Sequence, residues 1–306
     1  MRTDSKVHVR YTSLHPASSD VILETDIYTY ENVAGFYREA AMPSTGISSV
    51  APQQKLKPSL GVVIAHPYPP LGGSKADSVV RFLANKFVEK LKTAVVVYAF
   101  NFQGVTTHTS WTSRKEQSDI VAVASSILES YSSVKSLLIS GYSYGAIVCA
   151  KADLDSLRRS YSVNVTYWLL SPPLWPVSAA LTLGIRPSSS EPQLAKLTEV
   201  YRKGSVDGKV LVSYGTKDVF TRSHRYEKWV HQQVEIVKQQ HPEFPLPDSA
   251  DSPIKFVEIP DGPHFLTPDH MQELWNNQTT AEFIESLVDI SDGDDGDSDS
   301  GLSTRV

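Results

Sequence analysis

The chain has 306 residues, of which 41% are hydrophobic and 21% are charged, and its formal net charge is -5. This balance is ordinary for a globular protein, and the length is ample to bury a core and would allow one or two domains. The sequence has no basic stripe of the kind that binds nucleic acid or an anionic membrane surface, so we expect no nucleic-acid partner. The one cysteine, Cys149, excludes an internal disulfide and a cysteine-based metal cluster, and its apolar neighbours predict a buried core residue.

The two ends of the sequence are polar. The first residues, MRTDSKVHVRYTSLHP, have no apolar core of the kind that a signal peptide needs. The sequence has no run of about 18 apolar residues, so no membrane span is expected. From Ser291 onward the chain is acidic and rich in Gly and Ser, which predicts a disordered tail over 291–306. We therefore expect a cytoplasmic protein with a single domain over residues 1–290.

The predicted elements begin with two segments, KVHVRY and VILETDIYTY, in which apolar and polar residues alternate as in half-buried antiparallel strands. A loop rich in Pro, Ser, Gly and Gln follows between about 41 and 58. The pattern then changes to short, continuous apolar runs, which are typical of strands covered on both faces. These runs are LGVVIAH, TAVVVYAFN, KSLLISG, NVTYWLLS and GKVLVSYG, and one further strand, IKFVEIP, follows them.

Segments with apolar residues at helical spacing alternate with these strands. They are KADSVVRFLANKFVEKLK, KEQSDIVAVASSILESYSS, RYEKWVHQQVEIVKQQ and a last helix around TAEFIESLVDI. This alternation predicts an α/β fold, with a mainly parallel sheet, helices on both faces and an antiparallel N-terminal edge. In such a sheet ligands bind beyond the carboxyl ends of the strands, so residues that directly follow a strand are the candidates for chemistry.

The stretch GYSYG places Ser143 between two glycines, directly after the strand KSLLIS and before the predicted helix YGAIVCAKADL. In this strand–turn–helix context, a Gly-x-Ser-x-Gly serine is held up as a nucleophile. A Cβ at Gly141 or Gly145 would collide with the neighbouring backbone in so tight a turn. The alternative interpretation is a Gly/Ser turn that joins strand to helix without any chemistry.

A serine hydroxyl is a weak nucleophile, so we expect an acid and then a histidine after Ser143 in the chain. Asp218 lies just past the strand GKVLVSYG, and His264 follows the last strand through a Pro/Gly loop. A solvated loop carboxylate is the alternative interpretation of Asp218. Asp261 is the second candidate for the acid, and His270, at the start of the next helix, is the weaker candidate for the base.

The loop HPYPPLGG after the first parallel strand is the expected source of a backbone donor to a developing oxyanion. Its prolines have no N–H, which leaves Tyr68 as the donor in this loop. Tyr144, the residue after the nucleophile, would supply the second N–H. A rigid Pro-rich connector is the alternative, and His66 is interpreted as a packed imidazole that bonds a loop backbone group.

Together these stretches resemble the α/β-hydrolase superfamily, and most of all its small dienelactone-hydrolase-like group, which carries a His-Pro-His-Pro…Gly-Gly loop. The similar stretches run in the same order as in that group and cover the chain from about 21 to 287. They are HPYPPLGG, FNFQGV, GYSYGA, LLSPPL, YGTKDVF and GPHFL.

The resemblance implies a serine hydrolase that cleaves an ester, thioester or related acyl bond of a small molecule without a metal or organic cofactor. It implies that Ser143, Asp218 and His264 form the catalytic triad. It also implies that Tyr68 and Tyr144 form the oxyanion hole through their N–H groups. Two alternatives are a binding or regulatory scaffold without turnover and an acyltransferase that uses the same triad.

The chain departs from the group at three places. The second histidine of the loop is Tyr68 here, a change that keeps a backbone N–H at this position. The arginine usual in the Asn-Phe-Arg-Gly-Val stretch is Gln103, which affects how the following loop is fixed. That loop, TTHTSWTSRKE, lacks the usual pattern of small residues.

A segment over about 171–205 is expected to form a small cap-like insertion above the site. From their position in it, Leu174 and Trp175 would line an acyl pocket. Ordinary packing of this insertion on the core is the alternative interpretation of both residues.

Overall fold

The structure is a computed structural model that describes residues 6–14, 22–31, 57–105, 110, 113–174, 209–240, 252 and 254–288. Four features expected from the sequence fall on residues outside these ranges: the loop predicted from about 41 (as far as residue 56), Trp175, the expected cap from residue 175 to 205, and the tail over 291–306. Each strand predicted from the sequence has a counterpart within the described ranges.

Eight strands of the described residues form one sheet. They are β1 (Lys6–Leu14), β2 (Leu23–Glu31), β3 (Leu60–Ala65), β4 (Val95–Phe100), β5 (Ser136–Tyr142), β6 (Asn164–Leu170), β7 (Val210–Gly215) and β8 (Ile254–Ile259). Their order in the sheet is β1-β2-β4-β3-β5-β6-β7-β8. β1 and β2 pair antiparallel, as do β2 and β4, and all other pairs are parallel.

Seven α-helices lie in the described ranges. They are α1 (Ser78–Leu91), α2 (Arg114–Ser130), α3 (Tyr144–Lys151), α4 (Asp155–Tyr161), α5 (Ser223–Gln240), α6 (Pro268–Asn276) and α7 (Gln278–Glu285). Apolar side chains of α1, α6 and α7 share one buried cluster with one face of the sheet. Those of α2, α3 and α5 share a second cluster with the other face. The predicted α/β fold with an antiparallel edge is confirmed.

Burial on both faces explains the unbroken apolar sequences of the central strands. Every residue of β3, β4, β5 and β7 is buried. Side chains alternate between the two faces along a strand, so Val62 and Ile64 lie in the cluster of α1, α6 and α7, whereas Val63 lies in that of α2, α3 and α5. A strand with both faces covered has no position at which a polar side chain would reach water.

Two helices differ from the sequence-based prediction. α1 begins at Ser78 and not at Lys75, because the Asp77 carboxylate caps it by accepting from the N–H groups of Val79 (2.8 Å) and Val80 (3.4 Å). The helix predicted over 144–154 ends at Lys151, and a separate short helix, α4, follows. The sequence of α4, DSLRRSY, is too short and too polar to show helical periodicity.

The antiparallel hairpin of β1 and β2 is connected to the loops that follow β3 and β4. The Lys75 ammonium pairs with Asp26 of β2, whose side chain is buried. The Lys75 N–H donates to Asn101 Oδ1 (2.8 Å), and Asn101 Nδ2 donates to Glu24 Oε2 (2.9 Å). These bonds fix the ends of both loops against the edge of the sheet.

Candidate active site

Ser143 lies between the last residue of β5 and the first residue of α3, with φ 56° and ψ −118°. A positive φ is unfavourable for a residue with a Cβ, so the surrounding packing must hold this conformation. The Ser143 N–H donates to the carbonyl oxygen of Leu170 at the end of β6 (2.8 Å). This strained turn holds the serine at the carboxyl edge of the sheet, as a nucleophile elbow requires.

The two glycines of the GYSYG stretch permit close approach of backbones. A Cβ on Gly141 would lie 2.4 Å from the carbonyl oxygen of Gly145. A Cβ on Gly145 would lie 2.5 Å from the carbonyl oxygen of Ala65 at the end of β3. Because backbone atoms cannot move aside as a flexible side chain does, the prediction that both positions require glycine is confirmed.

Three side chains from distant parts of the chain form a continuous hydrogen-bonded chain. Ser143 Oγ lies 2.7 Å from His264 Nε2, and His264 Nδ1 lies 2.7 Å from Asp218 Oδ2. All three residues are buried. An ionised carboxylate only accepts hydrogen bonds, so Nδ1 of the neutral imidazole carries the proton. Nε2 is then free to accept the proton of the Ser143 hydroxyl.

The Asp218 carboxylate is held by the backbone that follows it. Its Oδ1 accepts from the N–H groups of Phe220 (2.8 Å) and Thr221 (3.0 Å). The Tyr226 hydroxyl donates to the carbonyl oxygen of Pro172 (2.9 Å) and lies 3.4 Å from Asp218 Oδ2. Burial, followed by the Asp218 charge, raises the pKa of Tyr226, so this hydroxyl stays protonated. These contacts fix the one carboxylate oxygen that faces His264.

Aromatic rings surround the His264 imidazole. The ring centroids of Phe220 and Phe265 lie 4.4 and 5.4 Å from that of His264. The Tyr142 ring is stacked on the imidazole with a centroid distance of 6.2 Å and an interplanar angle of 26°. Water is therefore excluded from much of the imidazole, which strengthens its hydrogen bonds to charged and polar groups.

The two alternative candidates lie elsewhere. The Asp261 carboxylate is exposed and pairs with Lys217 at 2.7 Å, and hydrogen bonding to that ammonium lowers the pKa of Asp261. His270 lies at the start of α6, where its Nδ1 is 2.8 Å from Thr267 Oγ1 in a helix cap. Neither side chain hydrogen-bonds Ser143 or His264, so the structure brings Asp218 and His264 to the serine instead.

The side chains of the two expected backbone donors, Tyr68 and Tyr144, are in contact. Tyr144 is the first residue of α3, so its N–H has no partner within the helix. Tyr68 precedes a short 3₁₀ turn, Pro69–Leu71, and its carbonyl oxygen accepts from the N–H groups of Leu71 and Gly73, both at 3.1 Å. The centroids of the Tyr68 and Tyr144 rings are 5.0 Å apart. The loop after β3 is therefore packed directly on the start of α3.

His66 fixes the path of the loop after β3. Its Nε2 accepts from the N–H of Phe102 (3.0 Å), so Nδ1 carries the proton and donates to the carbonyl oxygen of Pro67 (2.6 Å). Burial lowers the pKa of His66 to about 4, so the imidazole is neutral near pH 7. The interpretation of His66 as a packed imidazole that bonds a loop backbone group is confirmed.

Gln103 fixes the loop after β4 through a buried carboxyl group of α2. Its N–H donates to Asp119 Oδ2 (3.0 Å) and its Nε2 to Asp119 Oδ1 (2.8 Å). Burial raises the pKa of Asp119 to about 7. The neighbouring Glu116 accepts from the N–H of Ser110 (2.7 Å). Sequence reasoning missed these carboxyl groups, because Glu116 and Asp119 lie in the polar first turns of α2 and look like ordinary helix acids.

Leu174 lies at the end of the described segment after β6. Its N–H donates to Thr221 Oγ1 (3.0 Å), and its half-buried side chain packs against the cluster that includes α2, α3 and α5. This placement brings Leu174 next to the loop that carries Asp218. The acyl-pocket role of Leu174 stays a prediction.

The described ranges contain neither a candidate metal site nor a helix that could span a membrane. No three His, Cys, Asp or Glu side chains there are grouped so that they could hold a metal ion. No helix in the same ranges is both long and apolar enough to cross a bilayer. The free thiol of Cys149 is buried in α3, and burial raises its pKa, as expected for a core cysteine.

The sheet order, the helices on both faces and the serine elbow define an α/β-hydrolase fold. A serine hydrolase homologue from Coxiella burnetii shares this fold at 19% identity and a TM-score of 0.52, over 92% of this chain and 96% of that chain. A serine hydrolase without a lid from Xanthomonas campestris is similar at 18% identity and a TM-score of 0.53, over 94% of this chain and 97% of that chain. An esterase from Pyrococcus furiosus is similar at 16% identity and a TM-score of 0.57, over 92% of both chains. No protein-family model matches the sequence, and no curated protein matches it.

Proposed function

We propose that the protein is a serine hydrolase that cleaves an ester, thioester or related acyl bond of a small molecule through an acyl-enzyme. The observation that carries this proposal is the unbroken chain of hydrogen bonds from Ser143 through His264 to Asp218, with 2.7 Å at each step. A serine on a strained elbow, a neutral imidazole and a buried carboxylate are the three groups that nucleophilic catalysis by an alcohol requires. The hydrolase and esterase names of structures with the same fold agree with this proposal.

In the first half of the reaction, Ser143 Oγ attacks the carbonyl carbon of the substrate while its proton moves to His264 Nε2. The tetrahedral intermediate then collapses, the bond to the leaving alcohol or thiol breaks, and the Nε2 proton goes to that leaving group. In the second half, water gives a proton to Nε2 and attacks the acyl-enzyme. The acid product leaves, and Ser143 regains its proton.

Asp218 contributes by orientation and charge. Its Oδ2 holds Nδ1–H of His264 so that Nε2 faces the serine, and its negative charge stabilises the imidazolium that forms during the reaction. The two N–H groups on Oδ1 prevent the carboxylate from rotating away. The acid and the base are therefore positioned before a substrate binds.

The oxyanion of the intermediate would be stabilised by the N–H groups of Tyr68 and Tyr144. Tyr144 adds the positive end of the α3 dipole, because its N–H is the first of the helix. Preorganised donors of this kind contribute a factor of about 10² to 10³ each in other hydrolases. Leu174 and Trp175 are proposed to contact the acyl group.

A fluorophosphonate probe, which phosphonylates an activated serine, tests the proposal. We expect the wild-type protein to label and Ser143→Ala not to label. Ser140→Ala is the matched control, because Ser140 is a buried serine of the preceding strand, β5, whose hydroxyl has no partner among the described residues. The control should label like wild type.

A folded wild-type protein that fails to label would contradict the proposal and favour a scaffold without turnover. If it labels, a series of p-nitrophenyl esters and thioesters of increasing chain length should identify the substrate class. Product analysis with added alcohols then separates hydrolysis from acyl transfer, since a transferase yields a new ester in place of the free acid.

A further inference from the structure

Tyr142 is the residue directly before the nucleophile, and it faces the opposite side of the sheet from Tyr144. It is the last residue of β5 and is 2% exposed. Its side chain lies in the cluster of α1, α6 and α7, whereas that of Tyr144 lies in the cluster of α2, α3 and α5. One peptide bond therefore connects Ser143 to a side chain that reaches beneath the loop carrying His264.

The Tyr142 hydroxyl bonds the backbone of this loop on both sides of Phe265. It donates to the carbonyl oxygen of His264 (2.7 Å) and accepts from the N–H of Leu266 (3.2 Å). The Tyr142 ring is also stacked on the imidazole of His264. Burial raises the pKa of Tyr142, so its hydroxyl keeps the proton that it donates.

Before His264, other groups bond the backbone of the loop after β8. The N–H of Gly262 donates to the carbonyl oxygen of Ile259 (3.0 Å), and the carbonyl oxygen of Gly262 accepts from the N–H of Lys217 (2.9 Å). From His264 to Leu266, the Tyr142 hydroxyl bonds the backbone. The contact with Asp218 orients the imidazole ring, whereas the contact with Tyr142 places the backbone that carries the ring.

We propose that Tyr142 is a positioning residue, which sets the distance between His264 Nε2 and Ser143 Oγ by binding the backbone of the base. This proposal rests on the proposed serine-hydrolase function. Tyr142 touches no reacting atom, so it acts through His264. Because Tyr142 directly precedes Ser143, this one residue connects the nucleophile to the backbone of the base.

Tyr142→Phe removes the hydroxyl and keeps the ring, and it tests the proposal. The active sites are first counted by the burst of p-nitrophenol from a p-nitrophenyl ester, and kcat is then expressed per counted site. We expect kcat per site to fall about 10- to 100-fold, since small misplacements of a catalytic group cost up to about 10² in rate, with KM changed less than about twofold. A role in folding alone would reduce the number of sites and leave kcat per site at the wild-type value, which would overturn the proposal.

Amide hydrogen exchange gives a second readout on the folded variant. In Tyr142→Phe the Leu266 amide loses its acceptor and should exchange faster than in wild type. The Gly262 amide, which donates to Ile259, is the internal reference and should not change. If the protection of the Leu266 amide is unchanged, the proposed binding of this backbone by Tyr142 is contradicted, even where the activity falls.

Two further variants separate this proposal from more general effects. Tyr98→Phe is the matched control, because Tyr98 is a buried tyrosine of β4 whose hydroxyl interacts with Ser130 and Tyr131, away from the site. Its kcat per site should equal that of wild type. In a His264→Ala background, Tyr142→Phe should add no further loss, since the residue acts through the imidazole.

The outcomes distinguish this proposal from the proposed function. A wild-type protein that neither labels with a fluorophosphonate nor hydrolyses esters contradicts the proposed function. An active wild type whose kcat per site is unchanged by Tyr142→Phe, or a further loss in the His264→Ala background, contradicts the role of Tyr142 alone.

Discussion

Two parts of the candidate site lie at the same edge of the sheet but are proposed to act through different groups. The acid-base rim, defined as residues 216–222 and 260–267, carries two side chains, the Asp218 carboxylate and the His264 imidazole. The oxyanion rim, named after its proposed role and defined as residues 66–77 and 101–105, would offer the backbone N–H of Tyr68, and the side chains of His66 and Asp119 fix its path. Residue identity therefore matters at the acid-base rim, whereas the path of the backbone matters at the oxyanion rim.

The largest expected effect is at the acid-base rim. Asp218→Ala should lower kcat by about 10⁴, because the imidazole loses both its orientation and its counter-charge. Steady-state hydrolysis of a p-nitrophenyl ester measures kcat for the variant and for wild type. Asp261→Ala is the control, since the Asp261 carboxylate is exposed and pairs with Lys217, and it should stay within about twofold of wild type. The reverse pattern would show that Asp261 is the acid.

Gly145→Ala should have the next largest effect, because it disturbs the path of the oxyanion rim. The added methyl would lie 2.5 Å from the Ala65 oxygen and 2.7 Å from the His66 oxygen. We expect a loss of about 3 kcal/mol in the free energy of unfolding, at the upper end for overpacking, measured by urea denaturation. Gly72→Asn is the comparison variant: a Cβ at Gly72 meets nothing within 4 Å, so only the strain of its φ of 88° remains, and a smaller loss of about 1 kcal/mol is expected. Equal stability of Gly145→Ala and wild type would contradict the close packing of α3 on β3.

His66 should give the oxyanion rim a pH dependence. The unfolded imidazole takes up a proton below its ordinary pKa of 6.5, whereas burial keeps the native imidazole neutral down to about 4. The unfolded state therefore binds more protons in this window, and wild type should lose stability as the pH falls from about 6.5 to about 4. Relative to His66→Gln, this loss should reach about 3 kcal/mol. A stability difference that is constant from pH 7 to pH 4 would contradict the burial of a neutral His66.

Asp119→Asn should show a smaller effect of the opposite sign. Burial raises the pKa of Asp119 to about 7 from 3.8, so the native state keeps a proton that the unfolded chain has lost. Wild-type stability should therefore decrease as the pH rises from about 4 to about 7, and the variant should gain relative to wild type over that range. Urea denaturation at pH 5 and pH 8 measures the gain, which is smaller than the effect at His66 because pH 5 lies only about two units below the pKa of Asp119. If the free energies of unfolding of Asp119→Asn and wild type differ by the same amount at both pH values, a raised pKa of the buried Asp119 is contradicted.

The contrast between the rims also explains what could be predicted from the sequence. Ser143, Asp218 and His264 directly follow strands, so their order along the chain predicts them in preference to Asp261 and His270, and the structure brings the three together. The sheet was predictable for a similar reason, because strands buried on both faces are unbroken apolar runs.

The missed features depend on contacts between residues far apart in the sequence. Asp119 and Glu116 look like ordinary helix acids, and nothing local shows that they lie beneath the loop after β4. Tyr142 and Tyr226 are buried aromatic residues whose packing is predictable, whereas the partners of their hydroxyl groups are set by tertiary structure. α4 is too short for a periodic signal, and its position follows from where α3 ends.

The hairpin of β1 and β2 also shields the parallel strands from other protein molecules. β2 satisfies the outer hydrogen-bonding groups of β4, whose sequence VVVYAF is uncharged and prone to pair with any free strand. β1, which becomes the outermost strand, presents Arg10 and His8 among its residues and is a poor template for self-assembly. A shortened chain that began at β3 would keep every proposed catalytic residue, yet it would expose β4 to fibril-like aggregation.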